Sequence, residues 1–311
     1  MSPKYSLTDT FPLPNTTIRI PQLGFGVYRS NPSQTVESCL TALRVGYRHI
    51  DTAQFYGNET QVGEAIAKSG IPRSELFITT KILSAGGSVE KSYEKCVESV
   101  NKISNGEEGG YVDLFLVHSP NSGAMKRKEM WLALEKLYQE RKVKSLGVSN
   151  YGIKHIEEMK EYATIWPPHV NQIEVSSSIS TPLSKKPPFH TTDPNPLPLK
   201  LHPWNQQPEI TSYCAQNNIL ISAYCPLVRQ YKANDETLVS LAKKYNVSTN
   251  QILVRYCLQK DWIPLPKSDN PERIKLNADV YGFEIEEEDM RVLNGLDQGA
   301  AGAVVQVVDN Y

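Results

Sequence analysis

A single (β/α)8 barrel is the fold class that this sequence predicts, and three observations predict it. Eight short apolar runs are spaced along the chain. Amphipathic stretches of helical period lie between most of them, the alternation that builds a parallel sheet. Ionisable residues close or follow the second, third and fourth runs, as residues at the mouth of such a barrel do. The chain has 311 residues, enough for two domains, but barrels of this class commonly run to this length as one, so residues 1–311 are expected to form a single domain.

The leading segment, residues 5–20, alternates polar and apolar residues around positions 12–15 and reads as a hairpin closing the bottom of the barrel. The eight strand candidates are residues 23–27, 48–51, 76–81, 112–118, 144–149, 170–174, 219–224 and 262–266. Most are short, unbroken and rich in Ile, Val, Leu and Phe, as strands buried on both faces should be. Residues 33–45 form the first helix candidate, with Ser33 as its cap and Val36, Leu40 and Leu43 on one side. Residues 90–103, 126–141, 153–162, 235–245 and 249–260 read similarly. The acidic run from Glu286 to Asp289 suits the first turn of a further helix, where negative charge meets the positive end of the dipole.

Composition excludes several classes. The formal net charge of −1 leaves no footprint for nucleic acid or an anionic membrane. No apolar run approaches the roughly 18 residues that span a bilayer. Residues 1–10 lack the basic and apolar regions of a secretory signal. The five cysteines are odd in number and no pair has CxxC spacing, which fits reduced thiols in the cytoplasm and no metal site.

Asp51 ends the second strand and Tyr56 follows in the next loop; Lys81 ends the third strand and His118 the fourth. Each alone also fits a structural role, since an Asp–Lys pair often only bridges elements and a lone His usually sits satisfied in a core. Together they suit proton delivery to a carbonyl as it is reduced. A free tyrosine, of pKa about 10, is a weak acid near neutrality. A Lys81 ammonium held by Asp51 is expected to lower that pKa, and His118 to orient and polarise the carbonyl oxygen.

The stretch Gly46-Tyr47-Arg48-His49-Ile50-Asp51-Thr52-Ala53-Gln54-Phe55-Tyr56-Gly57-Asn58-Glu59 resembles a hallmark of the aldo-keto reductase family. So do Leu23-Gly24-Phe25-Gly26-Val27, Gly147-Val148-Ser149-Asn150, Asn171-Gln172-Ile173-Glu174, Ala223-Tyr224-Cys225-Pro226-Leu227 and Pro266-Lys267-Ser268, in the family's order. The resemblance implies an NADPH-dependent reductase of aldehydes or ketones. Asp51, Tyr56, Lys81 and His118 match the family tetrad, with Tyr56 as proton donor. It further implies that Ser149, Asn150 and Gln172 hold the nicotinamide carboxamide, that Tyr224 stacks on its ring, and that Gly26, Val27, Tyr28, Pro226 and Leu227 line its path. Lys267, Ser268, Arg273 and Asn277 would grip the adenosine end; a forked Arg and a Lys suit a 2′-phosphate. Tyr28 and Ser119 would line the substrate pocket. Cys225 and Leu276 depart from the family pattern. A monomer or weak dimer is expected. A cofactor-binding regulatory barrel with negligible turnover is the alternative.

Residues 175–200 do not fit this pattern. They hold six prolines and no periodicity, and a loop this long inside a compact domain requires an explanation. Removing these 26 residues joins Glu174 to Leu201-His202-Pro203-Trp204, the order in which the family pattern continues. Val175-Ser176 is encodable as GTAAGT and Lys200 by a codon ending AG, so a retained intron is one reading and a lid loop the other. The tail beyond Leu296 is short.

Overall fold

The computed structural model describes residues 6–173, 203–228 and 232–298; the insert 175–200 lies outside them. A hairpin of β1 (Thr10–Pro12) and β2 (Arg19–Pro21) leads in. The barrel strands are β3 (Phe25–Gly26), β4 (His49–Asp51), β5 (Phe77–Ile82), β6 (Leu114–Val117), β7 (Leu146–Ser149), β8 (Val170–Ile173), β9 (Leu220–Tyr224) and β10 (Ile263–Leu265). Each pairs in parallel with the next in chain order. The amides of Gly24 and Gly26 donate to the carbonyls of Pro264 and Pro266 at 3.1 Å, joining the last strand to the first. All eight expected runs are strands, mostly trimmed by a residue or two at the ends; Glu174 lies outside the described residues.

Strand alternation sorts the side chains into two cores. Phe77, Leu114, Leu116, Val170, Ile263 and Leu265 point inward and pack with Leu13 and Ile20 of the hairpin. These are mainly early strand residues, so the hairpin plugs the N-terminal end. The intervening Ile50, Ile78, Phe115 and Val117 face outward beneath the helices. At Gly147 the interior has no spare room: a methyl group there would stand 2.6 Å from both the Leu116 side chain and the Val170 carbonyl.

Helix α1 (Pro32–Val45) begins one residue earlier than expected. Its cap is Asn31, not Ser33: Asn31 Oδ1 accepts from the Gln34 amide at 3.0 Å, and Pro32 supplies a fixed φ in the first turn. Helix α2 (Glu59–Ser69) has no counterpart among the expected helices; it buries Val62, Gly63, Ala65 and Ile66 on one side. That glycine is a contact device: a Cβ there would lie 2.4 Å from the Lys102 carbonyl. Helices α3 (Val89–Ile103), α4 (Ala124–Gln139), α5 (Ile153–Glu158), α6 (Pro208–Gln216), α7 (Glu236–Tyr245), α8 (Thr249–Gln259), α9 (Pro271–Ala278) and α10 (Glu287–Asn294) follow. The last opens on Glu287, Glu288 and Asp289, the placement the dipole favours. Among the described residues, no helix is long and apolar enough to cross a membrane.

Candidate active site

The strand periodicity that points Phe77 and Thr79 inward also carries Lys81 into the barrel mouth, with none of its surface exposed. Its ammonium donates to Asp51 Oδ1 at 2.6 Å and to the Thr52 carbonyl at 2.8 Å. The Tyr56 hydroxyl lies 3.4 Å away. Asp51 ends β4 beside β5, and its second oxygen accepts from Gln172 Nε2 at 2.7 Å. His118 follows β6, its ring centroid 5.8 Å from that of Tyr56 and edge-on to it. The four candidate residues therefore meet at the C-terminal end of the strands.

Electrostatics alters one expectation. Burial pushes the Tyr56 phenol well above its ordinary range, and the Asp51 carboxylate adds to the rise. The anticipated lowering by Lys81 does not occur. The ammonium has Asp51 as counter-ion, so the pair presents little net charge to the phenol, and desolvation of a tyrosinate prevails. Burial lowers Lys81 in turn, partly offset by Asp51. Burial first and the Lys81 charge second bring His118 down to about 3, so its imidazole is neutral. Its Nδ1 is buried without a hydrogen-bond partner.

A cavity of about 250 Å³ opens over Asp51 and Tyr56, with Gly26, Tyr28, Tyr224, Pro226, Leu227 and Lys267 in its wall; Lys81 and His118 lie behind that lining. Arg29, Cys225 and Leu265 line it too; Arg29 carried no expected role. Tyr28 leans on Tyr56 with ring centroids 4.9 Å apart. The Tyr224 hydroxyl donates to Asn150 Oδ1 at 2.9 Å, and Asn150 Nδ2 donates to the His118 carbonyl at 3.1 Å and to Ser149 Oγ at 3.0 Å. Val27 does not line the cavity; its side chain is in the core. Ser119 is half-buried just after His118, also outside the cavity lining. Ser268, Arg273 and Asn277 lie beyond β10, on the stretch that leads into and through α9.

Two residues escaped sequence reasoning. Asn58 is fully buried: it accepts from Thr52 Oγ1 at 2.7 Å and donates to the Val27 carbonyl at 3.0 Å, tying the Lys81-binding turn to the strand leading into Tyr28. Asp269 pairs with Lys267. Asn58 lies within a quoted motif and Asp269 beside one, but only the fold reveals their partners.

The residues suit a dinucleotide. Asn277 Oδ1 is buried without a hydrogen-bond partner, an acceptor awaiting a donor such as an exocyclic amine. The Tyr224 ring offers the cavity a flat face. No group of three His, Cys, Asp or Glu among the described residues is placed to hold a metal ion.

Fold and site together define a (β/α)8-barrel oxidoreductase whose reacting groups gather at the strand ends. The profile described as "Aldo/keto reductase family" matches residues 22–298. An uncharacterized oxidoreductase of Schizosaccharomyces pombe is 38% identical over 288 residues, covering 91% of this chain and 92% of that one. A glyoxal reductase of Bacillus subtilis is 35% identical over 294 residues, covering 94% of each. The crystal structure of a Bombyx mori aldo-keto reductase in complex with NADP superposes with a TM-score of 0.77 at 28% identity, covering 97% of this chain and 95% of that one. The chain belongs to the aldo/keto reductase family. It is an NAD(P)-dependent oxidoreductase acting on small-molecule carbonyls.

Proposed function

We propose that the protein reduces an aldehyde or ketone to an alcohol with NADPH, with Tyr56 giving the proton to the substrate oxygen. The observation that carries this reading is the Tyr56 hydroxyl, lining the cavity 3.4 Å from the Lys81 ammonium. When bound, the nicotinamide supplies the hydride. The Tyr56 phenol, kept protonated by burial, is in the form that a reductive step needs. His118 Nε2–H donates to the carbonyl oxygen and fixes its direction. Lys81 stabilises the phenolate that proton transfer leaves behind, while Asp51 holds the ammonium in place. Gln172 braces Asp51 with its amide nitrogen, and Ser149 and Asn150 receive the carboxamide beside it. Tyr224, anchored through its hydroxyl to Asn150, presents its ring to the nicotinamide. Gly26, Pro226 and Leu227 shape the cofactor's path, Tyr28 the substrate's approach, and Lys267, Ser268, Arg273 and Asn277 the adenosine end.

We place the enzyme in the cytoplasm as a monomer or weak dimer; its five unpaired cysteines support a reducing compartment. The test is oxidation of NADPH by purified protein with a panel of aldehydes and ketones that includes glyoxal. Turnover of at least one is expected. Tight cofactor binding without oxidation by any substrate refutes the reading.

A further inference from the structure

The adenosine end carries a charge arrangement that cofactor grip alone does not require. Lys267 follows β10 and forms an ion pair with Asp269, two residues on. Asp269 is not a swinging surface carboxylate. Its Oδ1 accepts from Ser30 Oγ at 2.5 Å and from Ser38 Oγ at 3.0 Å. Both serines are buried, one in the loop after β3 and the other on α1, so the carboxylate is fixed by a separate part of the barrel rim.

We infer that Asp269 determines how strongly this enzyme distinguishes a 2′-phosphate from a 2′-hydroxyl, by holding the Lys267 ammonium as an internal counter-ion. The inference rests on the reading that Lys267 faces the 2′ position of the cofactor. A 2′-phosphate must then take the ammonium from a carboxylate already seated on it, and must settle near that negative charge. A 2′-hydroxyl meets no such opposition, and it can donate to a carboxylate, which is how acidic residues select the non-phosphorylated dinucleotide in other folds. The enzyme therefore accepts NADH as well as NADPH.

Asp269 is ionised when this matters. Burial raises its pKa, but Lys267 and Ser30 outweigh burial and bring it below the usual carboxylate range. The guanidinium of Arg273 makes no ion pair among the described residues, so one uncompensated cation remains for the phosphate. That retains NADPH binding but weakens the preference.

Asp269→Asn keeps an oxygen for the two serines and removes the charge. Dissociation constants for NADPH and NADH, by fluorescence titration of the whole chain at one low ionic strength, read the effect without turnover. NADPH is expected to tighten about tenfold, as loss of one nearby, partly screened repulsion implies, and NADH to change by less than about threefold. A ratio of the two constants unchanged within about twofold overturns the inference. Asp269→Ser provides the same test if the asparagine variant does not fold. Lys267→Met separates the two levels. If it leaves the native ratio unchanged, Lys267 does not face the 2′ position, and both the reading and the inference fall. If it weakens NADPH selectively while neither Asp269 variant moves the ratio, the inference alone falls.

Discussion

Replacing Tyr56 by Phe isolates one atom. The ring contacts with Tyr28 and His118, at 4.9 and 5.8 Å between centroids, survive the change. Among the described residues the one hydrogen bond lost is the long 3.4 Å contact with Lys81, so stability should fall by no more than about 1 kcal/mol. Tyr224, Asn150 and Lys267 are untouched, and the NADPH dissociation constant should stay within about twofold. On the proposed mechanism the chemical step loses its proton donor. A positioned general acid contributes about 10²- to 10⁴-fold, so kcat should fall by about 10³, or about 4 kcal/mol of barrel-mouth transition-state stabilisation. Single-turnover loss of reduced-cofactor absorbance, with saturating aldehyde and enzyme in excess, measures the step directly. A thermal melt and a binding titration confirm that fold and cofactor site persist. A variant retaining more than about a tenth of native kcat refutes Tyr56 as the donor, because a water or His118 would then suffice.

The neutral His118 has a consequence for stability. Its folded pKa of about 3 lies below the unfolded value, so below about pH 6.5 the unfolded chain binds a proton that the folded chain does not. Stability is full above that pH and falls as acid is added, by about 1.4 kcal/mol per pH unit for this histidine until its folded pKa is reached. His118→Gln should flatten urea-unfolding free energy against pH by that amount, and an unchanged slope contradicts the burial argument. Gly147→Ala forces a methyl group to within 2.6 Å of the Val170 backbone and should cost about 1–3 kcal/mol by chemical denaturation; a neutral result means that the barrel interior has slack. For residues 175–200, the retained-intron reading expects the mature transcript to join the Glu174 and Leu201 codons, with protein lacking the segment soluble and active; a dominant message encoding 176–200 rejects it.

Barrel strands are legible in sequence because each is buried on both faces, leaving continuous apolar runs that stop where the chain leaves the sheet. The helices are less legible where packing overrides propensity. Gly63 lies inside α2 because the backbone of α3 comes too close for a side chain, an interaction with Lys102, 39 positions on, that no local window contains. Helices α6 and α9 both begin on a proline and are only 9 and 8 residues long, too short for a clear stripe. In the site, Asp51, Lys81 and His118 were visible because polar groups closed apolar strands. The link between Gln172 and Asp51 was not, since it spans 121 positions and depends on the sheet rolling closed.

The Tyr56 pKa marks the deeper difference between listing charges and placing them. Sequence supplies a lysine near a tyrosine and suggests an acidified phenol. The structure supplies the same lysine with its carboxylate at 2.6 Å, both buried. A nearly neutral pair next to a desolvated phenol leaves the proton where it is. That arrangement suits reduction better than a freely ionising tyrosine would. An ionised phenol has no proton to give, whereas a buried protonated one releases it only as negative charge grows on the substrate oxygen. On the proposed mechanism the Lys81 ammonium then stabilises the new phenolate, and its field is felt in the product of proton transfer more than in the resting enzyme. Removing the ammonium while keeping the phenol, as in Lys81→Met, should therefore depress kcat far more than it shifts the resting Tyr56 titration. A large change in that titration, followed by the ultraviolet absorbance of tyrosinate, with kcat preserved would show that the resting pKa, not charge stabilisation during transfer, is what the lysine controls.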